Sequence, residues 1–202
     1  MSNTPPIVMG ITGASGAPYA VRLLQALTTA RRPVSLIVSK YGLRLLATEA
    51  GIESMDALRD AVGIEAWASY VEVFSNDDRG AAPASGSSRT AGMIVCPCSM
   101  GTLSAIAVGA SRSLIERAAD VTLKEQRKLV LVPRETPLSA IHLGNMLRLT
   151  RAGAVIMPAS PGFYHRPEQI SDLVDFVVAR MLDQLGVEQQ LVKRWTGERP
   201  SG

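Results

Sequence analysis

The stretch Ile7-Val-Met-Gly-Ile-Thr-Gly-Ala-Ser-Gly16 decides the fold of this chain. Its first five residues form an apolar run of the length of a buried strand, and a helical pattern follows from residue 17 to residue 29. Glycines at positions 10, 13 and 16 allow the backbone to approach a ligand closely before the helix begins. Their spacing of three and three differs from that of the dinucleotide motif G-x-G-x-x-G. The stretch therefore predicts a strand, a tight turn and a helix, and by itself it leaves a plain structural turn as an equal alternative.

The same alternation of strand and helix continues along the chain. Further strands are predicted at 34–38, 71–74, 92–96, 129–132 and 154–157, and helices at 41–50, 54–62, 99–108, 111–123, 137–150 and 168–185. Residues 75–90 form a long loop, which in a compact domain is usually functional or disordered. Alternating elements of this kind predict an α/β fold with a doubly wound parallel sheet. We expect a single domain over residues 1–202.

Composition excludes several classes of protein. The 202 residues are 47% hydrophobic and 19% charged, with a net charge of +3 and no dense basic run, so we expect no nucleic-acid partner. Two cysteines are too few for a disulfide framework. The apolar runs have the length of strands and are too short to span a membrane, which predicts a cytoplasmic protein without a membrane partner.

Ligands of such sheets bind beyond the carboxyl ends of the strands. The residues predicted at this edge are mostly donors suited to phosphate, namely Ser15, Ser39, Ser99, Thr102, Arg134 and Tyr164. Without a Ser-His-Asp order, a Walker motif or a zinc spacing, these residues predict only the binding of a phosphorylated small molecule, without metal.

Several charged residues keep two interpretations open. Arg134 either binds a phosphate or pairs with Glu135 on the surface, and Glu49 is either functional or an ordinary surface glutamate. Arg180 falls in an otherwise apolar helical stretch, where a buried cation requires a partner or an anionic ligand.

Taken together, the motifs resemble those of the UbiX flavin prenyltransferases. The resemblance rests on TGASGA (12–17), SK (39–40), ATE (47–49), PASGSS (83–88), CPCSMGTLSAIA (96–107), LIERAADV (114–121), LVLVPRETPL (129–138), IHLGNML (141–147), PGFY (161–164) and DLVDFVVAR (172–180). These segments cover nearly the whole chain, and their combination is much more specific than any one of them.

The resemblance implies a Rossmann-like or flavodoxin-like subunit of a homo-oligomer, typically a dodecamer. It implies that reduced FMN accepts a dimethylallyl group from dimethylallyl phosphate, without metal. Flavin N5 would attack the allylic carbon as phosphate leaves, and a ring closure would follow. The product, prenylated FMN, would serve a UbiD-type decarboxylase. The segment from about residue 186 to residue 202 is expected to pack on a neighbouring subunit.

The resemblance also assigns roles to individual residues. FMN would be held by Gly13, Ala14, Ser15, Ser39, Ser99, Met100, Gly101, Thr102 and Arg134. The donor phosphate would be held by Lys124, Tyr164 and Arg180, with Arg117 and Glu135 nearby. Ser15 and Glu49 would move protons around the flavin, so that the catalytic set comprises Ser15, Glu49, Arg117, Lys124 and Glu135.

One departure from the family pattern concerns the loop before Pro83. The family usually carries a tryptophan there, whereas residues 75–82 of this chain contain no aromatic residue and the two tryptophans are Trp67 and Trp195. An aromatic face that could shelter an allylic cation is therefore missing from this loop. The missing tryptophan keeps open the alternative of an FMN carrier without transferase activity. A second alternative is a related flavin-dependent cysteine decarboxylase, over which Glu49, Lys124 and the Pro-Arg-Glu element (133–135) favour the prenyltransferase.

Overall fold

The structure is a computed structural model, and it describes residues 4–192. The strands are β1 (Ile7–Ile11), β2 (Val34–Val38), β3 (Val71–Ser75), β4 (Gly92–Cys98), β5 (Leu129–Pro133) and β6 (Val155–Ile156). The helices are α1 (Ala17–Thr29), α2 (Lys40–Ala50), α3 (Met55–Val62), α4 (Ile64–Tyr70), α5 (Met100–Ala107), α6 (Leu114–Lys124), α7 (Ala140–Arg151) and α8 (Ile170–Gln184), with a short 3₁₀ turn at Ala82–Ala84.

The six strands form one parallel sheet in the order β3-β2-β1-β4-β5-β6. The chain winds outward from β1 to β3, then crosses back to β4 and winds outward in the other direction. The predicted doubly wound fold is thereby confirmed. The switch point between β1 and β4 is the place where such sheets bind ligands.

Helices cover the sheet on both faces. Along β1, Ile7, Met9 and Ile11 pack into one core with α1 and α8, while Val8 packs into the other core with α5 and α6. Because β1, β4 and β5 are buried on both faces, their sequences read as continuous apolar runs rather than alternating ones. The edge strand β3 is more exposed.

Several predicted boundaries were wrong. The helix expected from residue 137 begins at Ala140, because the Ser139 hydroxyl accepts from the His142 amide and forms the N-cap two residues after Pro137. Helix α4 was not predicted at all, because its seven residues are too few to show a periodic pattern. The expected helix starts at residues 99 and 111 shift to Met100 and Leu114, with Ser99 and Ser113 as N-caps.

The C-terminal segment stays partly untested. Val187 and Leu191 contact the core of their own chain, and residues 193–202, including Trp195, lie outside the described residues. Packing of the segment 186–202 on a neighbouring subunit therefore remains a prediction. Among residues 4–192, no helix is long and apolar enough to cross a bilayer.

Candidate functional site

A hydroxyl-rich cavity of about 240 Å³ lies at the switch point of the sheet. Its wall is formed by Thr12, Gly13, Ser39, Tyr41, Asn76, Ser99, Thr102, Ser113, Ile115 and Glu116. These residues come from the segments that follow β1, β2, β3 and β4 and from the start of α6. The cavity is slightly smaller than most pockets for small organic ligands, which measure about 300–1,000 Å³. It therefore suits the polar end of a ligand whose remaining part lies outside.

Thr12 links the turn after β1 to the turn after β4. Its hydroxyl donates to the Pro97 carbonyl at 2.8 Å and accepts from the Ser99 amide at 2.8 Å. The turn after β1 and the turn after β4 are thereby fixed relative to each other. The sequence prediction did not include Thr12, although it lies within the stretch that decides the fold.

The start of α5 has amide groups that remain available to a ligand. The Ser99 hydroxyl accepts from the Thr102 amide at 3.2 Å and donates to the Thr102 hydroxyl at 3.0 Å. The amides of Met100 and Gly101 find no acceptor in the described part of the chain. Free amides at a helix N-terminus favour an anion, and phosphate in particular. Ser99 and Thr102, which were predicted to bind FMN, lie at this helix start. Their role in binding stays a prediction.

The turn after β1 offers further amides. Those of Gly13, Ala14 and Ser15 also lack an acceptor among residues 4–192. Gly13 lies against Tyr41, where a Cβ atom would collide with the Tyr41 side chain, so only glycine fits. Gly16 has a φ of 128°, a conformation that L side chains rarely adopt. Glycine is therefore required at both positions of the predicted ligand turn.

Glu49 lies at the rim of this site, where it caps α1. Its Oε2 accepts from the amides of Gly16 and Ala17 at 2.8 and 2.9 Å. Although Glu49 belongs to the last turn of α2, which disfavours a carboxylate, its charge sits at the positive end of another helix. Glu49 therefore has at least a structural role as the cap of α1, and its function at the site stays a prediction.

Ser15 and Arg134 complete the environment of Glu49. Burial alone raises the pKa of Glu49, but hydrogen bonds from Gly16, Ala17 and the Ser15 hydroxyl, together with the charge of Arg134, outweigh it and lower that pKa. Arg134 also donates from Nε to the Ser15 carbonyl at 3.4 Å. Glu49, Ser15 and Arg134, which the sequence separates by up to 119 residues, therefore meet at one point.

The alternative pairing of Arg134 with Glu135 does not occur in the described structure. Glu135 is exposed, and its carboxylate accepts from the Thr136 amide at 3.1 Å. The two side chains separate because Arg134 turns toward Ser15 while Glu135 caps its own turn.

The residues predicted to bind the donor phosphate lie elsewhere. Lys124 pairs with Glu125 at 2.6 Å at the end of α6, beside Gly86. Since α6 begins at the cavity and has eleven residues, Lys124 lies about 15 Å along the helix from the cavity. Arg117 pairs with Asp120 at 2.7 Å. A single chain therefore does not bring Lys124 to this cavity.

Tyr164 and Arg180 form a separate group beside β6. The Tyr164 ring lies edge-on to Phe176, with centroids 5.6 Å apart, and Phe176 and Arg180 both line a cavity of about 290 Å³. The prediction that Arg180 is buried was wrong, because its side chain is 55% exposed and pairs with Asp183 at 2.9 Å. The apolar helix face is directed inward, while Arg180 lies on the other face.

The cysteines are structural. Burial raises the pKa of Cys96 well above its usual range, with a further contribution from Cys98, and burial raises the pKa of Cys98 to about 12. Both are therefore neutral thiols, unsuited to bind metal or act as nucleophiles. Across residues 4–192, no group of three or more His, Cys, Asp and Glu side chains is placed to hold a metal ion.

Besides Thr12, sequence reasoning missed five lining residues: Tyr41, Asn76, Ser113, Ile115 and Glu116. The pattern Ser113-Leu-Ile-Glu116 carries the spacing of a capping box and could have located the helix start that lines the cavity. Tyr41 and Asn76 gave no such signal, because only the folded chain brings them to the site.

Comparisons with known proteins agree with this geometry. A family model described as Flavoprotein matches residues 1–182. Flavin prenyltransferase UbiX of Pseudomonas aeruginosa is 52% identical over 202 residues, covering 96% of each chain. The crystal structure of AnUbiX (PadA1) in complex with FMN and dimethylallyl pyrophosphate superposes with a TM-score of 0.89 at 43% identity, covering 98% of this chain and 100% of that one.

Two further solved structures define the limits of the likeness. A dodecameric FMN-dependent UbiX-like decarboxylase from Escherichia coli O157:H7 has a TM-score of 0.87 at 45% identity, covering 95% of this chain and all of the other. The FMN-dependent cysteine decarboxylase TvaF has a TM-score of 0.60 at 16% identity, covering 90% of this chain and 98% of the other, which shows a common fold alone. On these grounds, the chain belongs to the Flavoprotein family and, within it, to the UbiX flavin prenyltransferases.

Proposed function

We propose that this protein is a flavin prenyltransferase that transfers a dimethylallyl group from dimethylallyl phosphate to reduced FMN. The observation that carries the proposal is the convergence of Ser15, Glu49 and Arg134 beside a cavity rich in phosphate donors. Full-length relatives that carry this name support it. The product would be prenylated FMN.

The proposed FMN site places the phosphate at the start of α5. Free amides at Met100 and Gly101, together with the Thr102 hydroxyl, supply donors to the phosphate oxygens. Ser39 accepts from the Gly42 amide at 3.0 Å, which leaves its hydroxyl hydrogen available to the ligand. The small volume of the cavity fits the ribityl phosphate, so we place the isoalloxazine ring outside it, toward Ser15, Glu49 and Arg134.

Glu49 is proposed to handle protons during ring closure. Its lowered pKa keeps the carboxylate ionised at neutral pH, so it is unprotonated when a proton has to be accepted, although it is a weaker base than an ordinary glutamate. The two amides of Gly16 and Ala17 fix the carboxylate, and the Ser15 hydroxyl beside it offers a short path for that proton. Reduced FMN, when bound, supplies the nucleophile for the allylic carbon.

The donor phosphate is proposed to bind Lys124, Tyr164 and Arg180, with Arg117 and Glu135 nearby. Cationic donors stabilise the charge that develops on a departing phosphate. Because Lys124 lies about 15 Å along α6 from the flavin cavity, we propose that Lys124 of one subunit acts on the flavin of another. The dodecameric relative supports an assembly in which this is possible.

An oligomer, proposed to be a dodecamer, also explains the exposed apolar side chains of α7. Ile141, Leu143 and Leu147 are each at least half exposed, and Leu149 is the one side chain of this helix that is buried among the described residues. Exposed apolar side chains in such density are typical of subunit interfaces. We further propose a cytoplasmic location and delivery of the product to a UbiD-type decarboxylase. The free thiols of Cys96 and Cys98 agree with a reducing compartment.

The experiment that tests the function is a mass measurement on the flavin. Purified protein is incubated with reduced FMN and dimethylallyl phosphate, and the extracted flavin is weighed by mass spectrometry. We expect a gain of one five-carbon prenyl unit. Unchanged FMN that stays bound to the protein would instead favour an FMN carrier without transferase activity. The absence of a tryptophan from residues 75–82 agrees with that alternative. The cysteine decarboxylase alternative is disfavoured, since that likeness extends to the fold alone.

A further inference from the structure

The cavity at the switch point has an unexpected charge distribution. Of the residues that line it, Glu116 is the only one with a charged side chain, and it is only 8% exposed. A buried carboxylate in the wall of a phosphate-binding cavity repels the ligand unless the phosphate lies elsewhere in the cavity. The position of Glu116 therefore divides the cavity into two ends of different chemistry.

The end formed by α5 suits an anion, whereas the end formed by α6 does not. At α6, the Leu114 amide donates to the Asn76 carbonyl at 2.8 Å, the Ile115 amide donates to Asn76 Oδ1 at 3.2 Å, and the Glu116 amide donates to Ser113 Oγ at 3.3 Å. Each first-turn amide of α6 is thus used within the protein. A phosphate finds free amides at α5 and in the turn after β1, whereas the α6 end is left with hydroxyl groups and one carboxylate.

A carboxylate next to hydroxyl groups is suited to accept hydrogen bonds from a neutral polyol. Glu116 Oε1 has one protein partner within hydrogen-bonding distance, Arg112 Nη2 at 3.4 Å, and therefore retains acceptor capacity toward the cavity. The Arg112 side chain is largely exposed, which weakens that ion pair. We propose that Glu116 is a specificity-determining residue that accepts hydrogen bonds from the ribityl hydroxyls of the flavin. This inference rests on the proposed function, because it requires a flavin in the cavity.

Glu116 also has a structural role that the test must separate. Its Oε2 accepts from the Arg112 amide at 2.7 Å, which ties the residue before the Ser113 N-cap to the first turn of α6. The substitution Glu116→Gln keeps an oxygen for this amide and replaces the other carboxylate oxygen with an uncharged NH2 group, which donates hydrogen bonds. A change in flavin recognition without a large change in melting temperature would therefore report on the ligand rather than on the helix.

The experiment measures the dissociation constants of three oxidised flavins by fluorescence quenching. FMN has the ribityl chain and phosphate, riboflavin has the ribityl chain alone, and lumiflavin lacks both. The proteins compared are the unmodified chain, Glu116→Gln and the control Glu65→Gln, which changes an exposed carboxylate in the first turn of α4.

For Glu116→Gln we expect riboflavin binding to weaken about tenfold, because a charged acceptor of hydrogen bonds from the ribityl hydroxyls is replaced by an uncharged NH2 donor. FMN binding should weaken less, by about threefold, since the repulsion between the carboxylate and the phosphate is relieved at the same time. Lumiflavin binding should not change, and Glu65→Gln should alter none of the three.

Equal weakening of all three flavins, or no change in riboflavin binding, would overturn the role of Glu116 while leaving FMN binding by the unmodified chain intact. If the unmodified chain bound no flavin, the proposed function would fall and this inference with it. The two failures are therefore distinguishable.

Discussion

The two halves of the proposed active site are built in different ways. The flavin half is assembled within one chain, where the turns after β1 and β4 meet through Thr12 and the Glu49 carboxylate is held by two amides. The donor half is dispersed, with Lys124 at the far end of α6 and Tyr164 and Arg180 beside β6. The charged residues of the donor half pair with local carboxylates, whereas Arg134 of the flavin half points toward Ser15 and Glu49.

This difference shows that the fold of a single chain brings together the residues of the flavin half and not those of the donor half. The carboxyl ends of parallel strands converge, so residues that follow them meet without any help from a neighbour. Residues on the outer helices have no such point of convergence. We propose that another subunit brings them to the flavin.

The largest effect is expected from Glu49→Gln, which tests the flavin half. Without an ionised carboxylate, prenyl transfer should fall by about 100-fold or more, the usual contribution of a general base. FMN binding should stay within a few fold, because no phosphate contact is lost. Single-turnover kinetics together with FMN titration check this, and full turnover in the variant would show that Glu49 has no role in proton transfer.

The next largest effect concerns Lys124→Ala, which tests the donor half. We expect the KM for dimethylallyl phosphate to rise by about 10-fold or more, with unchanged FMN binding, because one cationic phosphate contact is removed. The matched control is Lys128→Ala, which removes an exposed lysine near the same end of α6. Its KM for dimethylallyl phosphate should equal that of the unmodified protein.

Mixing the two variants sharpens the comparison when activity is measured at a dimethylallyl phosphate concentration well below the KM, where each variant alone retains about a tenth of full activity or less. If Lys124 acts on a neighbour's flavin, subunits carrying Glu49→Gln and subunits carrying Lys124→Ala should regain roughly a quarter of full activity after they are unfolded and reassembled together. Should the mixed oligomers stay inactive, each chain must complete its own donor site, and the division between the two halves is wrong.

Arg134→Ala should have an intermediate effect, on FMN binding itself. Loss of a partly buried cation beside the proposed isoalloxazine position should weaken FMN about tenfold, as expected for a hydrogen bond to a charged group. Isothermal titration with FMN measures this, with Arg59→Ala on α3 as a control for a lost surface ion pair. Unchanged FMN affinity would remove Arg134 from the flavin half.

The smallest effect is a dependence of stability on pH. Since the pKa of Glu49 is lowered in the folded state, its stabilisation is fully present above the ordinary pKa of about 4.3 and is lost as the pH falls through the lowered value. The difference in unfolding free energy between the unmodified protein and Glu49→Gln should be about 1 kcal/mol at pH 7 and should shrink toward pH 3. Urea unfolding at several pH values measures it, and a constant difference would contradict the assigned shift.

Prediction from the sequence succeeded for the strands of the sheet, where an apolar run is a local pattern and the parallel fold sets where each strand ends. Apolar runs followed by Ser99 or by the Gly13 turn indicated both the strand and the ligand edge, because strand ends in a parallel sheet must meet. It failed where the outcome depends on which way a side chain points. Arg180 was expected to be buried from its apolar neighbours, although its own position lies on the outer face of α8.

Residues that lie close only through long-range contacts were also missed. Asn76 reaches the cavity because its carbonyl and side chain cap α6, which begins 38 residues later in the chain. Tyr41 is 63% exposed, and its ring reaches the cavity only because Gly13 leaves room for it. Neither of these contacts produces a periodic pattern in the sequence from which it could be predicted.

The sequence by itself determined the doubly wound sheet, since apolar periodicity is a local property of the chain, and its motifs indicated the family. It also predicted the rim at which a ligand is expected to bind. Only the tertiary structure decided that the Glu49 carboxylate caps α1, that α5 keeps its amides free while α6 does not, and that Lys124 lies far from the cavity. The physical reason is that a hydrogen bond or a charge acts over a few ångströms in space, and chain order does not fix those distances.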